Sequence, residues 1–139
     1  MKERTATPVL VPLALAAVAV GIAGFGHARL FHRGYGAVEV VGPLFLLDAI
    51  GSAIVILLLI FGRPRLFGLG ALTICVGALV SIYISHTSSF FNFSESGYDG
   101  LARLIVIAEI AATVLTVLAT LIGLRVRPTR SSSSSWPTP

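Results

Sequence analysis

Charge is what this chain most conspicuously lacks. Only 12% of its 139 residues are charged, about half the roughly 25% of an ordinary soluble domain, while 55% are hydrophobic and the mean hydropathy is +0.94. A water-soluble fold of this size cannot cover so much apolar surface. Cysteine is nearly absent: Cys75 stands alone, which excludes a disulfide framework, a CxxC redox pair and a cysteine metal site. Flanked by Ile74 and Val76, it reads as packing. The basic residues are scattered over hinges, without the patch or interleaved aromatics that a phosphate backbone requires, so no nucleic-acid partner is expected. There is also no GxSxG, no paired Cys and His, and no strand-led glycine-rich phosphate loop. Gly68-Leu69-Gly70 reads as helix packing. The chain is therefore not expected to be an enzyme or to carry a cofactor, acid/base work on lipid by outer acids and histidines being the remote catalytic alternative.

What is present is four long apolar runs separated by short polar hinges, each near the ~20 residues that cross a bilayer as helix. Backbone groups in hydrocarbon must be satisfied within helices or a closed barrel, and continuous rather than alternating runs select helices. The expected fold is all-α: a polytopic, antiparallel bundle of four transmembrane helices over about 9–28, 43–62, 66–86 and 101–124, forming one domain (1–126). The serine- and proline-rich end, 127–139, is expected to be a disordered cytoplasmic tail. Gly26-His27-Ala28 loosely matches a signal-peptide cleavage site, yet the apolar stretch before it exceeds the 7–15 residues of a signal h-region, so retention as a first helix is expected.

Orientation follows the arginines and lysine beside the spans. Both termini inside puts Lys2, Arg4, Arg63, Arg65, Arg125, Arg127 and Arg130 in the cytoplasm and leaves Arg29, Arg33 and Arg103 outside, and that asymmetry favours cytoplasmic termini in a plasma membrane, multi-pass and of bacterial inner-membrane type. The net charge of +4 is thus a topology signal, with the lipid bilayer as first partner. Gly62-Arg63-Pro64-Arg65 forms a tight cytoplasmic turn. Gly42-Pro43 reads as a turn and the proline that opens the second helix. The longer outer connections carry Phe31, Tyr35, Phe90, Phe91, Phe93 and Tyr98, which suit an aromatic belt at headgroup level.

Helix contacts in lipid rely on close backbone approach at small residues. The third helix carries Thr73, Gly77, Ser81 and Ser85 at intervals of four, and the fourth carries Ala108, Ala112, Thr116 and Thr120 in the same rhythm; these stripes are the expected contact faces. Ala17 with Gly21, and Gly24 with Ala28, form a weaker version on the first helix.

Chemistry concentrates at one end. At 1.5 Å per residue, Asp48 lies about 8 Å below Pro43 and Glu109 about 9 Å below Arg103, so these carboxylates share a depth and can meet across the bundle. A carboxylate in hydrocarbon costs roughly 2.5–3.5 kcal/mol on insertion scales and usually faces the bundle interior, where it clamps helices, handles a proton or holds a cation. Asp48 can bond to Ser52 one turn on, and Glu109 to Thr113 or an arginine at the mouth. His27, His32 and His86, with Glu95 and Asp99, compose a weaker metal or haem set on the outer face, since imidazole is the commonest metal ligand. His27 and His32, five apart, face different sides of a continuous helix.

The segments GPLFLLDAIGSA (42–53) and SSFFNFSESGYDGLARLIVIAEIAA (88–112) resemble the small uncharacterised four-helix integral membrane proteins of actinobacteria, and nine arginines against one lysine suit a GC-rich source. The resemblance implies the fold and a membrane location, puts Asp48, Glu95 and Glu109 at recurrent positions, and names no substrate. Two functions from different classes follow. The first, favoured here, is a structural or accessory subunit docking a protein partner in a larger membrane complex. The second is a small transport or proton/cation-binding protein working as a homo-oligomer through Asp48 and Glu109. Four short helices without internal symmetry leave little room for the inverted repeats of a secondary transporter, which is why the first is preferred.

Overall fold

The computed structural model describes residues 7–87 and 100–125, and among them the chain is entirely helical. Four helices, α1 (Thr7–His32), α2 (Val41–Ile60), α3 (Pro64–Thr87) and α4 (Gly100–Arg125), are each long and apolar enough to cross a membrane. The tail at 127–139, the outer residues Glu95 and Asp99, and the aromatics from Phe90 to Tyr98 lie outside the described residues.

Local chemistry sets the joints. The α2 end is a Schellman motif: the Gly62 amide bonds to the Leu59 carbonyl at 3.0 Å and the Arg63 amide to Leu58 at 2.8 Å, with Gly62 at φ 70°. That left-handed conformation suits glycine, and Pro64 then opens α3 where its missing N–H costs least. Between α1 and α2 the chain turns through Gly34 and a short 3-10 turn, Tyr35–Ala37. Here the second helix begins two residues earlier than Gly42-Pro43 suggested. The Gly42 amide bonds to the Val38 carbonyl at 2.9 Å, and a Cβ on Gly42 would lie 2.7 Å from the Gly36 carbonyl oxygen, so glycine lets the 3-10 turn fold down onto α2. The first helix runs on to His32, past the expected end near residue 28, which carries His27 inside the helix.

Each helix buries one stripe and turns the rest outward. On α1 the stripe is Ala16, Val20, Ala23, His27 and Leu30; on α4 it is Ile105, Ala108, Glu109, Ala112, Thr116 and Ala119. The contact between α1 and α4 is the most extensive, followed by α1 with α2. Glycines make these approaches possible: a Cβ on Gly24 would lie 2.5 Å from Ser52 Cβ, and one on Gly70 would lie 2.5 Å from Val55 Cγ2. The remaining surface leaves Val18, Phe25, Leu47, Ile54, Leu69 and Ile107 more than half exposed. A continuous apolar exterior of this kind belongs against lipid rather than water.

The packing differs from the expected stripes on the third helix. Its buried residues in the first half are Phe67, Ala71 and Cys75, whereas Thr73 and Gly77 are exposed and only Ser85 of that expected stripe is buried. The reason is that the hydroxyls need no neighbouring helix: Thr73 donates to the Leu69 carbonyl at 2.9 Å and Ser81 to the Gly77 carbonyl at 2.8 Å, back along their own helix. On α4, Ala108, Ala112 and Thr116 are buried while Thr120 is exposed and donates to the Thr116 carbonyl at 2.9 Å. The weaker stripe of α1 does meet a helix: Gly21 and Gly24 face Ile56 and Ser52 of α2.

Two clusters make up the core. The larger joins all four helices and includes Leu13, Val20, Val55, Phe67, Cys75 and Ala112. The smaller, nearer the His32 end of α1, joins Ala23, Leu30, Ile105 and Ala108 with Tyr35, Phe45 and Leu101, and contains no α3 residue. The half of α3 after Cys75 thus lies off the core, and a cavity opens beside it.

Candidate functional site

His27, Asp48 and Glu109 meet where that cavity reaches the bundle axis. Each sits on the inward stripe of its own helix, which is why three polar side chains converge among apolar ones. His27 continues the Ala16, Val20, Ala23 series, Asp48 lies between Phe45 and Ser52 on α2, and Glu109 lies one turn from Ile105 and Ala112 on α4. Helix periodicity thus delivers all three to one level.

The imidazole is the hub. With Glu109 ionised, His27 Nε2 donates to its Oε1 at 2.9 Å; the same nitrogen lies 3.8 Å from Asp48 Oδ2. The first distance is a short charge-assisted hydrogen bond and the second is too long for one. Ser52 donates to Asp48 Oδ1 at a long 3.4 Å. His27 is 6% exposed and Glu109 2%, so water cannot replace their bond. The ring is also braced by Phe45, whose centroid lies 5.0 Å away, and Tyr35 packs on Phe45 at 5.3 Å. This stack ties the 3-10 turn to the site.

One nitrogen of the site has no partner: His27 Nδ1 is buried without a hydrogen-bond partner among the described residues. No described arginine neutralises the cluster, because Arg29, Arg33, Arg63, Arg65, Arg103 and Arg125 are all exposed. Two carboxylates therefore face one imidazole, and full ionisation would leave net negative charge among apolar residues even with His27 protonated. The nitrogen and two carboxylate oxygens lie within 4.8 Å of one another, a compact N,O,O donor set that a proton or a metal cation can join.

The cluster borders a cavity of about 350 Å³, walled by Phe45, Ile105 and the α3 row Ile74, Gly77, Ser81 and Ile82. The stripe expected to seat a helix instead lines this space.

Of the residues singled out in the sequence, the structure brings Asp48 and Glu109 together around His27 and leaves His32 exposed at the surface. His32 stacks edge-on against Phe31 at 5.6 Å, apart from the cluster. His86 lies on the last turn of α3, and its side chain is outside the described residues, as are Glu95 and Asp99. Neither suggested local partner of Glu109 holds its carboxylate: Thr113 donates to the Glu109 backbone carbonyl at 2.8 Å, and the carboxylate takes His27. Sequence reasoning missed that pairing by ending the first helix beside His27. The signal was there, since residues 16, 20, 23, 27 and 30 recur at three- and four-residue steps.

No family model, curated protein or solved structure matches this chain.

Proposed function

We propose that this is a multi-pass plasma-membrane protein, an antiparallel four-helix bundle with cytoplasmic termini, which takes up a cation, either a proton or a metal ion, at His27, Asp48 and Glu109 and works as a small ion-binding or transport protein. One observation carries the reading: among the described residues, two carboxylates share one buried imidazole with no arginine between them. Such a cluster sheds its charge in hydrocarbon by binding a cation. Antiparallel packing is supported by residue order, for 21, 24 and 27 of α1 face 56, 52 and 48 of α2. The seven-to-three split of basic residues supports the orientation.

A purely structural clamp needs only one hydrogen-bonded pair, and the second carboxylate is surplus to it. The subunit reading keeps one specific observation in its favour, the exposure of Thr73 and Gly77 on α3, a face that a partner helix would cover.

Infrared difference spectra of the protein in lipid nanodiscs, taken between acid and alkaline buffer and with added zinc or manganese chloride, test the proposal. The expected result is a buried carboxyl band that changes with pH or metal and is lost in Asp48→Asn and Glu109→Gln, both variants eluting like the parent. Identical spectra in parent and double variant would refute cation binding and return the carboxylates to a structural role.

A further inference from the structure

The cavity is more than a bare ion requires. A proton or metal ion needs donors, and a wall of Phe45, Ile74, Ile82 and Ile105 offers none. Its volume of about 350 Å³ lies instead within the ~300–1,000 Å³ of small-molecule pockets, which combine apolar walls with a few convergent polar groups.

Those polar groups specify the ligand's head. The cluster that lines the cavity sets two carboxylates against one imidazole, so the partner that completes it is a hydrogen-bond donor. The cluster carries more carboxylate than imidazole, so the donor is positively charged. Asp48 keeps 14% of its side chain accessible and lines the cavity, while Glu109, which also lines it, keeps only 3%. The Ser81 hydroxyl proton is already spent on its own helix, so Ser81 is not a donor that would satisfy the carboxylates in the ligand's place. Gly77 leaves room: a Cβ there would meet nothing within 4 Å.

We propose that the cavity binds an amphiphilic organic cation, a primary ammonium with an apolar body, its head on Asp48 beside His27 and its body along the Ile74–Ile82 face of α3. This rests on the cation-binding reading and names the ligand class. An ammonium supplies three donors on a point charge, the complement of a carboxylate-rich cluster in a low-dielectric site.

The test uses octylammonium chloride and octanol as matched probes, titrated calorimetrically into full-length protein in nanodiscs, with empty nanodiscs subtracted for lipid partition. Octylammonium is expected to bind saturably and at least tenfold more tightly than octanol. Asp48→Asn should weaken it by roughly 10- to 100-fold, the loss of one charged hydrogen bond worth about 1.5–3 kcal/mol. Gly77→Leu, which fills the cavity while leaving the carboxylates in place, should weaken octylammonium similarly and keep the carboxyl infrared band of the parent. Equal uptake of both probes, indifferent to Asp48→Asn, would make the cavity a groove for lipid chains and overturn the proposal. Octylammonium binding that survives Gly77→Leu would overturn the cavity as its seat. No octylammonium binding with the carboxyl band intact would sink this inference and spare the cation reading; loss of the band as well would sink both.

Discussion

Replacing His27 by phenylalanine isolates the hydrogen bond at the centre of the site. The new ring preserves the packing on Phe45, 5.0 Å away, and removes the donor that sits 2.9 Å from Glu109. Glu109 is 2% exposed, so its carboxyl group would be left buried without the imidazole. Removing one member of a buried charged pair costs about 3–5 kcal/mol in soluble proteins. Hydrogen bonds between membrane helices are worth less, up to about 1.7 kcal/mol, because the unfolded chain in lipid finds other partners. A loss of about 2–3 kcal/mol is expected, which shifts the folding equilibrium roughly 30- to 150-fold. Adding Glu109→Met removes the stranded carboxyl group and should return the double variant to within about 1 kcal/mol of the parent, since buried pairs are often replaceable by apolar isosteres. Unfolding in mixed micelles of increasing dodecyl sulfate fraction, followed by helical circular dichroism, measures all four corners of this cycle. The reasoning fails if His27→Phe unfolds with the parent, or if the two substitutions add rather than compensate.

Two further outcomes test the packing. In the same titration Gly70→Ala should lose about 1–3 kcal/mol by pressing on Val55, a stiff side chain 2.5 Å from the new Cβ, and Val55→Ala should relieve it; Gly68→Ala, whose Cβ would meet Thr116 at an ordinary 3.6 Å, should be neutral or slightly stabilising, and equal effects at the two glycines would contradict the described α2–α3 contact. Cys75, 1% exposed, should resist maleimide labelling in the folded protein and react on unfolding, whereas Gly77→Cys in a Cys75→Ala background should label readily in the cavity; the reverse order would place the wrong face of α3 inward.

Composition and run length alone determined that this chain forms four helices long and apolar enough to cross a membrane, because hydrocarbon leaves a backbone no other way to satisfy its amides over four continuous apolar stretches. The turn at Gly62-Arg63-Pro64 was equally legible, since glycine and proline act through their own backbone. Depth counting put Asp48 and Glu109 at one level by simple rise per residue. What the sequence left open was rotation and neighbourhood. The Thr73, Gly77, Ser81, Ser85 spacing is that of a packing stripe, yet hydroxyls bonded to their own helix lose their need for a partner, and whether a neighbour approaches is settled by the rest of the bundle. His27 stood at a run's apparent end, where local polarity marked a boundary that the helix ignores because Leu30 and Phe45 cover the next turn. Tertiary structure decided that the imidazole belongs to Glu109 and that the half of α3 after Cys75 joins neither hydrophobic cluster and borders a cavity. Pairings between residues 82 positions apart depend on the relative rotation of two helices, which no local pattern encodes.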